Sequence, residues 1–185
     1  ESEGTYKIAG IVDKSKGKRD PVLGYEILGN DQELPELLKK YSNALITLGQ
    51  IKSADLRLKF FSSLKNMGAC LPKIVSPHSY ISKHVSISEG TIVMHGAILN
   101  AGSTIGKNCI INTQSLIEHD VKVESHCHIS TGVKINGGVF IVRESFVGSD
   151  SVIYEDVKIG EKCVIAAGSI IRKDISSGTI HRKTR

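Results

Sequence analysis

The sequence predicts a left-handed parallel β-helix preceded by a small, N-terminally incomplete α/β domain of Rossmann-like type. Three observations carry this expectation. From Val75 an aliphatic residue recurs every six positions, through Ile81, Ile87, Val93 and Leu99 to Ile171, seventeen in all without a gap. Two residues before each, from Ser79 to Ser169, stands a small or β-branched residue. Ahead of this run, residues 1–70 alternate strand-like and helix-like stretches with a different periodicity.

In chain order, "YKIAGIVD" and "NALITLG" read as buried strands. "DQELPELLKKY" reads as a helix capped by Asn30 or Asp31. "SADLRLKFFSSLKNMG" reads as a second helix, with Ser53 as N-cap, Gly68 as its stop and Leu56, Phe60 and Leu64 as one apolar stripe. Alternating strand and helix argues for a parallel α/β layer, which binds nucleotides beyond the C-terminal ends of its strands. Asp13 follows the first strand, and Gly49, Ile51 and Lys52 of "GQIKS" follow "NALITLG". These four are the candidate substrate-binding residues, with ordinary turn chemistry as the alternative. The prolines of "CLPKIVSP" set the expected boundary between domains 1–70 and 71–185.

Beyond that boundary each six-residue unit makes one short strand and one corner. Three units close a triangular coil, so residues eighteen apart stack at the ordinary strand spacing of ~4.8 Å. Cys109, Cys127 and Cys163 fall in the small inward column and read as packing residues. No Cys-x-x-Cys pair is present, and no metal is expected. The net charge of +5 is spread along the chain. It suits an anionic small ligand and does not argue for nucleic acid. No apolar run reaches the ~18 residues of a membrane span, and no secretory segment opens the sequence. Reduced thiols in a cytoplasmic protein are the expectation.

"NTQSLIEHDVKVESHCHIST" holds His119, His126 and His128, three of the seven histidines. His119 is two residues after inward Ile117, so it points outward. Gly137 lies eighteen residues on, one rung above, and its missing side chain is expected to leave room for a reacting group. His128 is nine residues from His119, half a coil away. The two cannot share a site within one chain, but prisms in a symmetric trimer could bring such walls together. A histidine titrating near ~6.5 suits a general base. Asp120 or Glu118 could hold its other nitrogen. The Gly137 N–H or a protonated His128 could stabilise an oxyanion. His126 reads as a surface residue.

The stretches "GIVDKS", "LGYEILGND", "ALITLGQIKSADLR", "IVSPHSYIS", "MHGAILNAGSTIGKNCIINTQSLIEHD" and "HCHISTGVKINGG" cover nearly the whole chain. In these it resembles the hexapeptide-repeat bacterial sugar O- and N-acetyltransferases. They include the sialic acid O-acetyltransferases and the bacillosamine-pathway enzymes that acetylate a UDP-linked 4-amino sugar. The resemblance implies a homotrimer, acetyl-CoA as donor and a nucleotide-linked amino sugar as acceptor. It puts His119 on the catalytic base and Asp120 on the acid that follows it. It puts His128 and Gly137 beside the acetyl-CoA thioester, and Asp13 and "GQIKS" in the sugar-nucleotide pocket. Members usually begin with a strand and a Gly-His loop ahead of the segment that starts here, and end on a Gly-x-Pro-Ala-Lys-like element where this chain has "SSGTIHRKTR". Arg172 and Lys173, with Arg182, Lys183 and Arg185, are candidates for a basic rim around the CoA phosphates; a solvated tail is the alternative. Sugar or sialic acid O-acetylation is a second reading of the same residues. A γ-type carbonic anhydrase shares the prism but spaces its three zinc histidines differently. A non-catalytic trimeric sugar-nucleotide binder is the third alternative.

Overall fold

The six-residue period becomes strands of two residues, paired in parallel, as far as Ile170–Ile171, with the strand eighteen residues on. Ile98–Leu99 pairs with Leu116–Ile117, which pairs in turn with Lys134–Ile135. In this computed structural model, which describes residues 4–14 and 21–182, the strands stack into three walls. The first wall has seven strands, from Ile74–Val75 to Ile180–His181. The second has six, from Tyr80–Ile81 to Ile170–Ile171, and the third has five, from Ser86–Ile87 to Lys158–Ile159. Stacked parallel walls with this repeat fit a left-handed parallel β-helix. Leu99, Ile111, Ile117, Ile129, Ile135 and Ile141 are wholly buried between the walls. Each such side chain contributes about 1.5–3 kcal/mol by leaving water. Cys109, Cys127 and Cys163 lie inside as free thiols.

The corners follow an equally regular rule. From Gly90 to Gly168, the third residue after every inward aliphatic takes the left-handed backbone conformation. Eight of these are not glycine: Asn108, Gln114, Asp120, His126, Glu144, Asp150, Asp156 and Lys162, with φ between 54° and 64°. The conformation costs an ordinary residue roughly 1–2 kcal/mol, which is why glycine, asparagine and aspartate crowd this column. After Ile171 the period shortens. Ile175 bridges Ile159, and Ile180–His181 pairs with Val164–Ile165, a step of sixteen residues. The last coil thereby puts Ile175, rather than Ser177, above Ile159.

Contacts divide the chain into two compact units, Glu1–Ala44 with Ser63–Leu71, and Leu45–Ser62 with Pro72–Arg185. Residues 45–62 group with the prism in this division. In the first unit, β1 (Ile11–Val12) pairs in parallel with β2 (Ile27–Gly29). A 3-10 turn over Asp31–Glu33 leads into α1 (Leu34–Lys40). Asn30 caps it: its side chain accepts the Gln32 N–H at 2.9 Å, and the Glu33 carboxylate accepts the Asn30 N–H at 2.8 Å. This reciprocal pairing satisfies donors the turn leaves open.

The expected strand over "NALITLG" does not form. Asn43 makes an isolated bridge to Cys70, while Leu45 and Leu48 are exposed. The carbonyls of Ile46 and Leu48 are taken by the Arg57 guanidinium, at 2.7 and 2.9 Å, instead of by a neighbouring strand. Among the described residues of 1–70, the expected Rossmann-like sheet reduces to the β1–β2 pair. The second helix, α2 (Asp55–Asn66), starts as read, with Ser53 Oγ accepting the Asp55 N–H at 3.0 Å. Its buried face is Arg57, Phe61 and Leu64, and Leu56 is 48% exposed. The expected stripe is off because Arg57, a charged residue, belongs to the inner face.

Candidate active site

The corner after Ile117 builds one acid–base pair from two consecutive residues. His119 is the second residue of the turn and Asp120 the third, in the left-handed conformation at φ 60°. His119 Nδ1–H donates to Asp120 Oδ2 at 2.9 Å. Both side chains are exposed. The bond to Asp120 raises the histidine above its ordinary pKa, and the charges of Asp120, Glu118 and Asp156 add to it. With Nδ1 committed, Nε2 carries the free lone pair. Glu118 does not hold the ring; its carboxylate accepts the Asn100 amide at 2.8 Å, one rung below.

The space above this corner is used differently from the expectation. A Cβ on Gly137 would sit 2.7 Å from His119 Cε1 and Nε2. The imidazole itself fills the room that glycine leaves, lying flush against the backbone of the next rung. The Gly137 carbonyl accepts the Asp156 N–H at 3.0 Å. Its own N–H has no hydrogen-bond partner among the described residues. Asn100 and Asp156 are parts of this corner that the sequence reading missed. The eighteen-residue step could have found both, since Asn100 lies one step below Glu118 and Asp156 two steps above Asp120.

A second histidine cluster lies at the corner between the third and first walls. His128 stands on the outer face of the first wall but is only 7% exposed. Its Nδ1–H donates to the Gln50 carbonyl at 2.6 Å, and the Asn112 amide donates to Nε2 at 3.3 Å. The ring meets Phe146 edge-on at 5.2 Å. Burial lowers its pKa, outweighing the Gln50 bond that favours the charged form. A protonated, available His128 is thus disfavoured by burial, and both ring nitrogens already have partners. His126 is likewise not a surface residue. It is half-buried, accepts the Asn108 amide at 2.9 Å and packs edge-on against Phe61 at 5.3 Å. Burial, then the charge of Arg57, lowers its pKa.

Gln50 ties the "GQIKS" loop to this corner, its amide donating to the His126 carbonyl at 2.9 Å. Gly49, Ile51 and Lys52 around it are exposed. Asp13, in the first unit, donates its N–H to the Gly29 carbonyl at 3.1 Å. The Arg172 guanidinium lies over the Tyr154 ring at 5.0 Å, and Lys173 is exposed. Lys173 is three coil steps above His119 on the same corner, a rise of ~14 Å at the strand spacing. Arg182 is exposed, and Lys183 and Arg185 lie outside the described residues. Among the described residues no cluster of three or more His, Cys, Asp or Glu could hold a metal ion. Among them, too, no helix is long and apolar enough to cross a membrane.

Comparison with known proteins points one way. The family model described as bacterial transferase hexapeptide (six repeats) matches residues 138–173. PerB from Caulobacter crescentus, in complex with CoA and GDP-perosamine, is 30% identical with a TM-score of 0.81, over 85% of this chain and 75% of that one. A histidine-to-asparagine mutant of perosamine N-acetyltransferase from the same organism, again with CoA and GDP-perosamine, is 28% identical with a TM-score of 0.84, over 91% and 79%. The acetyltransferase domain of PglB from Neisseria gonorrhoeae, with acetyl coenzyme A, is 26% identical with a TM-score of 0.88, over 95% and 83%.

Proposed function

The chain belongs to the bacterial hexapeptide transferase family, and on that premise we propose that it is an acetyl-CoA-dependent N-acetyltransferase of a nucleotide-linked 4-amino-4,6-dideoxy sugar. Similar structures carry CoA with GDP-perosamine, or acetyl coenzyme A alone. The observation that carries the reading is the His119–Asp120 pair lying against Gly137. The acceptor amine attacks the thioester carbonyl carbon while His119 Nε2 takes its proton. Asp120 stabilises the imidazolium that results. The Gly137 N–H is the donor for the tetrahedral oxyanion. Collapse breaks the carbon–sulfur bond, and the CoA thiolate recovers the proton from His119. Arg172 and Lys173, on the coils above His119, attract the CoA phosphates. Gly49, Ile51 and Lys52 bind the acceptor, which arrives beside His128. A cytoplasmic setting, with its supply of acetyl-CoA, is part of the same proposal.

The outer walls support a homotrimer. The first residue of each two-residue strand faces out. On the first wall it is Ile74, Ile92, Ile110, His128, Phe146, Val164 and Ile180, and on the second it is apolar in five of six strands. On the third it is Ser86, Thr104, Lys122, Phe140 and Lys158. Two apolar walls per prism suit a closed ring in which the first wall of one subunit meets the second wall of the next. That packing brings His119 of one subunit toward the His128 corner of its neighbour. The test is acetyl transfer from acetyl-CoA to a panel of UDP- and GDP-linked 4-amino sugars, read by thiol release and by mass gain at the amine. No transfer to any of them overturns the reading. A monomer with full activity at assay concentrations overturns the shared site.

A further inference from the structure

We propose that Arg57 is a positioning residue for the acceptor: from α2 it fixes the loop that ends in Gly49–Lys52 against the prism corner carrying His126 and His128. This rests on the assignment of Gly49, Ile51 and Lys52 to acceptor binding. Arg57 is 1% exposed. Its Nη1 donates to the carbonyls of Ile46 at 2.7 Å and Leu48 at 2.9 Å, and its Nε reaches the Asn108 carbonyl at 3.4 Å. One planar group thus joins the last residues before Gly49 to a left-handed corner residue of the prism. Gln50 completes the tie from the loop side, through the His126 carbonyl and the His128 ring.

Packing alone does not account for this choice. All three acceptors are neutral backbone carbonyls, and the buried Nη2 has no partner among the described residues. Taking a guanidinium out of water without a carboxylate is unfavourable, and an apolar residue of similar volume fills such a site at lower cost. What the guanidinium supplies is direction. It has five donors in a fixed fork, so the carbonyls it binds cannot slide relative to one another. Lysine keeps the charge and loses the fork.

The test is Arg57→Lys in the full chain, with Lys59→Ala on the exposed face of α2 as control. The expected signature is a KM for the nucleotide sugar raised about tenfold, the scale of one lost charge-assisted hydrogen bond. KM for acetyl-CoA stays unchanged, and kcat at saturation stays close to that of the parent. Amide exchange in residues 45–52 accelerates while the prism strands keep their protection. A KM for the nucleotide sugar equal to the parent's, or a loss of activity that only tracks a lost folded fraction, overturns the proposal. If Arg57→Lys does not fold, Gln50→Leu loosens the same loop and must give the same split between the two KM values. The exchange measurement separates the two levels. If the parent acetylates no nucleotide sugar, the functional reading fails, and unchanged exchange in Arg57→Lys still refutes the tether.

Discussion

His119 and His126 stand seven residues apart on neighbouring corners of one prism, and the protein treats them in opposite ways. His119 is the second residue of its turn; it is exposed, bonded to Asp120 and pushed up in pKa. His126 is the third residue of its turn; it is held at φ 64°, packed on Phe61 and pushed down in pKa by burial. One step along the corner separates a side chain that lies on the next rung from one whose own backbone is left-handed. The second position presents its side chain outward, whereas the third shapes the turn or bonds its neighbour, as Asp120 bonds His119.

The largest expected difference between the two corners is catalytic. His119→Ala should lower kcat by a factor of ~10²–10⁴, the usual cost of a general base. The affinity for acetyl-CoA and the melting temperature should stay close to the parent's, since the side chain is exposed and outside the interior. Near-normal turnover with an amine acceptor would show that the proton goes elsewhere.

The next effect concerns the bed on which the proposed base lies. Gly137→Ala adds a methyl where His119 Cε1 and Nε2 now sit, 2.7 Å from the new carbon. The ring must swing outward, and a displacement near 1 Å can cost about 10²-fold in rate. Steady-state kinetics should show a kcat loss approaching that of His119→Ala with the prism intact. An unchanged kcat would mean that the ring position against Gly137 does not matter for turnover.

At the other corner the expected effect is on stability. His126→Ala removes the edge-on contact with Phe61 and the Asn108 bond, and leaves alanine in a left-handed conformation. The aromatic contact alone is worth about 0.5–1.5 kcal/mol beyond its buried area. His126→Gly loses the same contacts but relieves the backbone, so it should recover roughly 1 kcal/mol relative to alanine. Denaturant unfolding of the two variants reads that difference. Alanine and glycine of equal stability would remove the backbone part of the argument.

How much of this was legible in the sequence follows from where the forces are local. The interior columns were readable because each aliphatic faces the same environment six residues on, so composition repeats with geometry. The left-handed corner column was equally regular, but Gly102, Asn108, Gln114, Asp120 and His126 share a conformation and no chemistry, and an apolar search passes over them. Residues 45–62 failed for the opposite reason. "NALITLG" has strand composition, yet its carbonyls are claimed by Arg57, eleven residues beyond Ile46. Nothing in a hydrophobic pattern marks an arginine as core. At the candidate site, the juxtaposition of His119, Asp120 and Gly137 was legible from register. The burial of His128 was not, because Gln50, which covers it, lies 78 residues earlier in the chain.

The smallest expected effect sharpens the comparison at His119 itself. The Asp120 bond is the first cause of its raised pKa, so Asp120→Asn should return the histidine toward its ordinary value. A base works in its neutral form. The acid limb of kcat therefore rises with pH as His119 loses its proton, at the raised pKa in the parent and at a lower pH in the variant. Asparagine accepts the Nδ1–H through its amide oxygen, so the ring keeps its orientation while the stabilisation of the imidazolium weakens. Below the parent's pKa the variant holds more neutral histidine. Above it, both are deprotonated and the variant's weaker base should make it the slower enzyme. The two pH profiles should then cross. A limb that stays in place on Asp120→Asn would assign the titration to a group other than His119. His126, which titrates low by burial, should leave the limb unmoved when it is replaced.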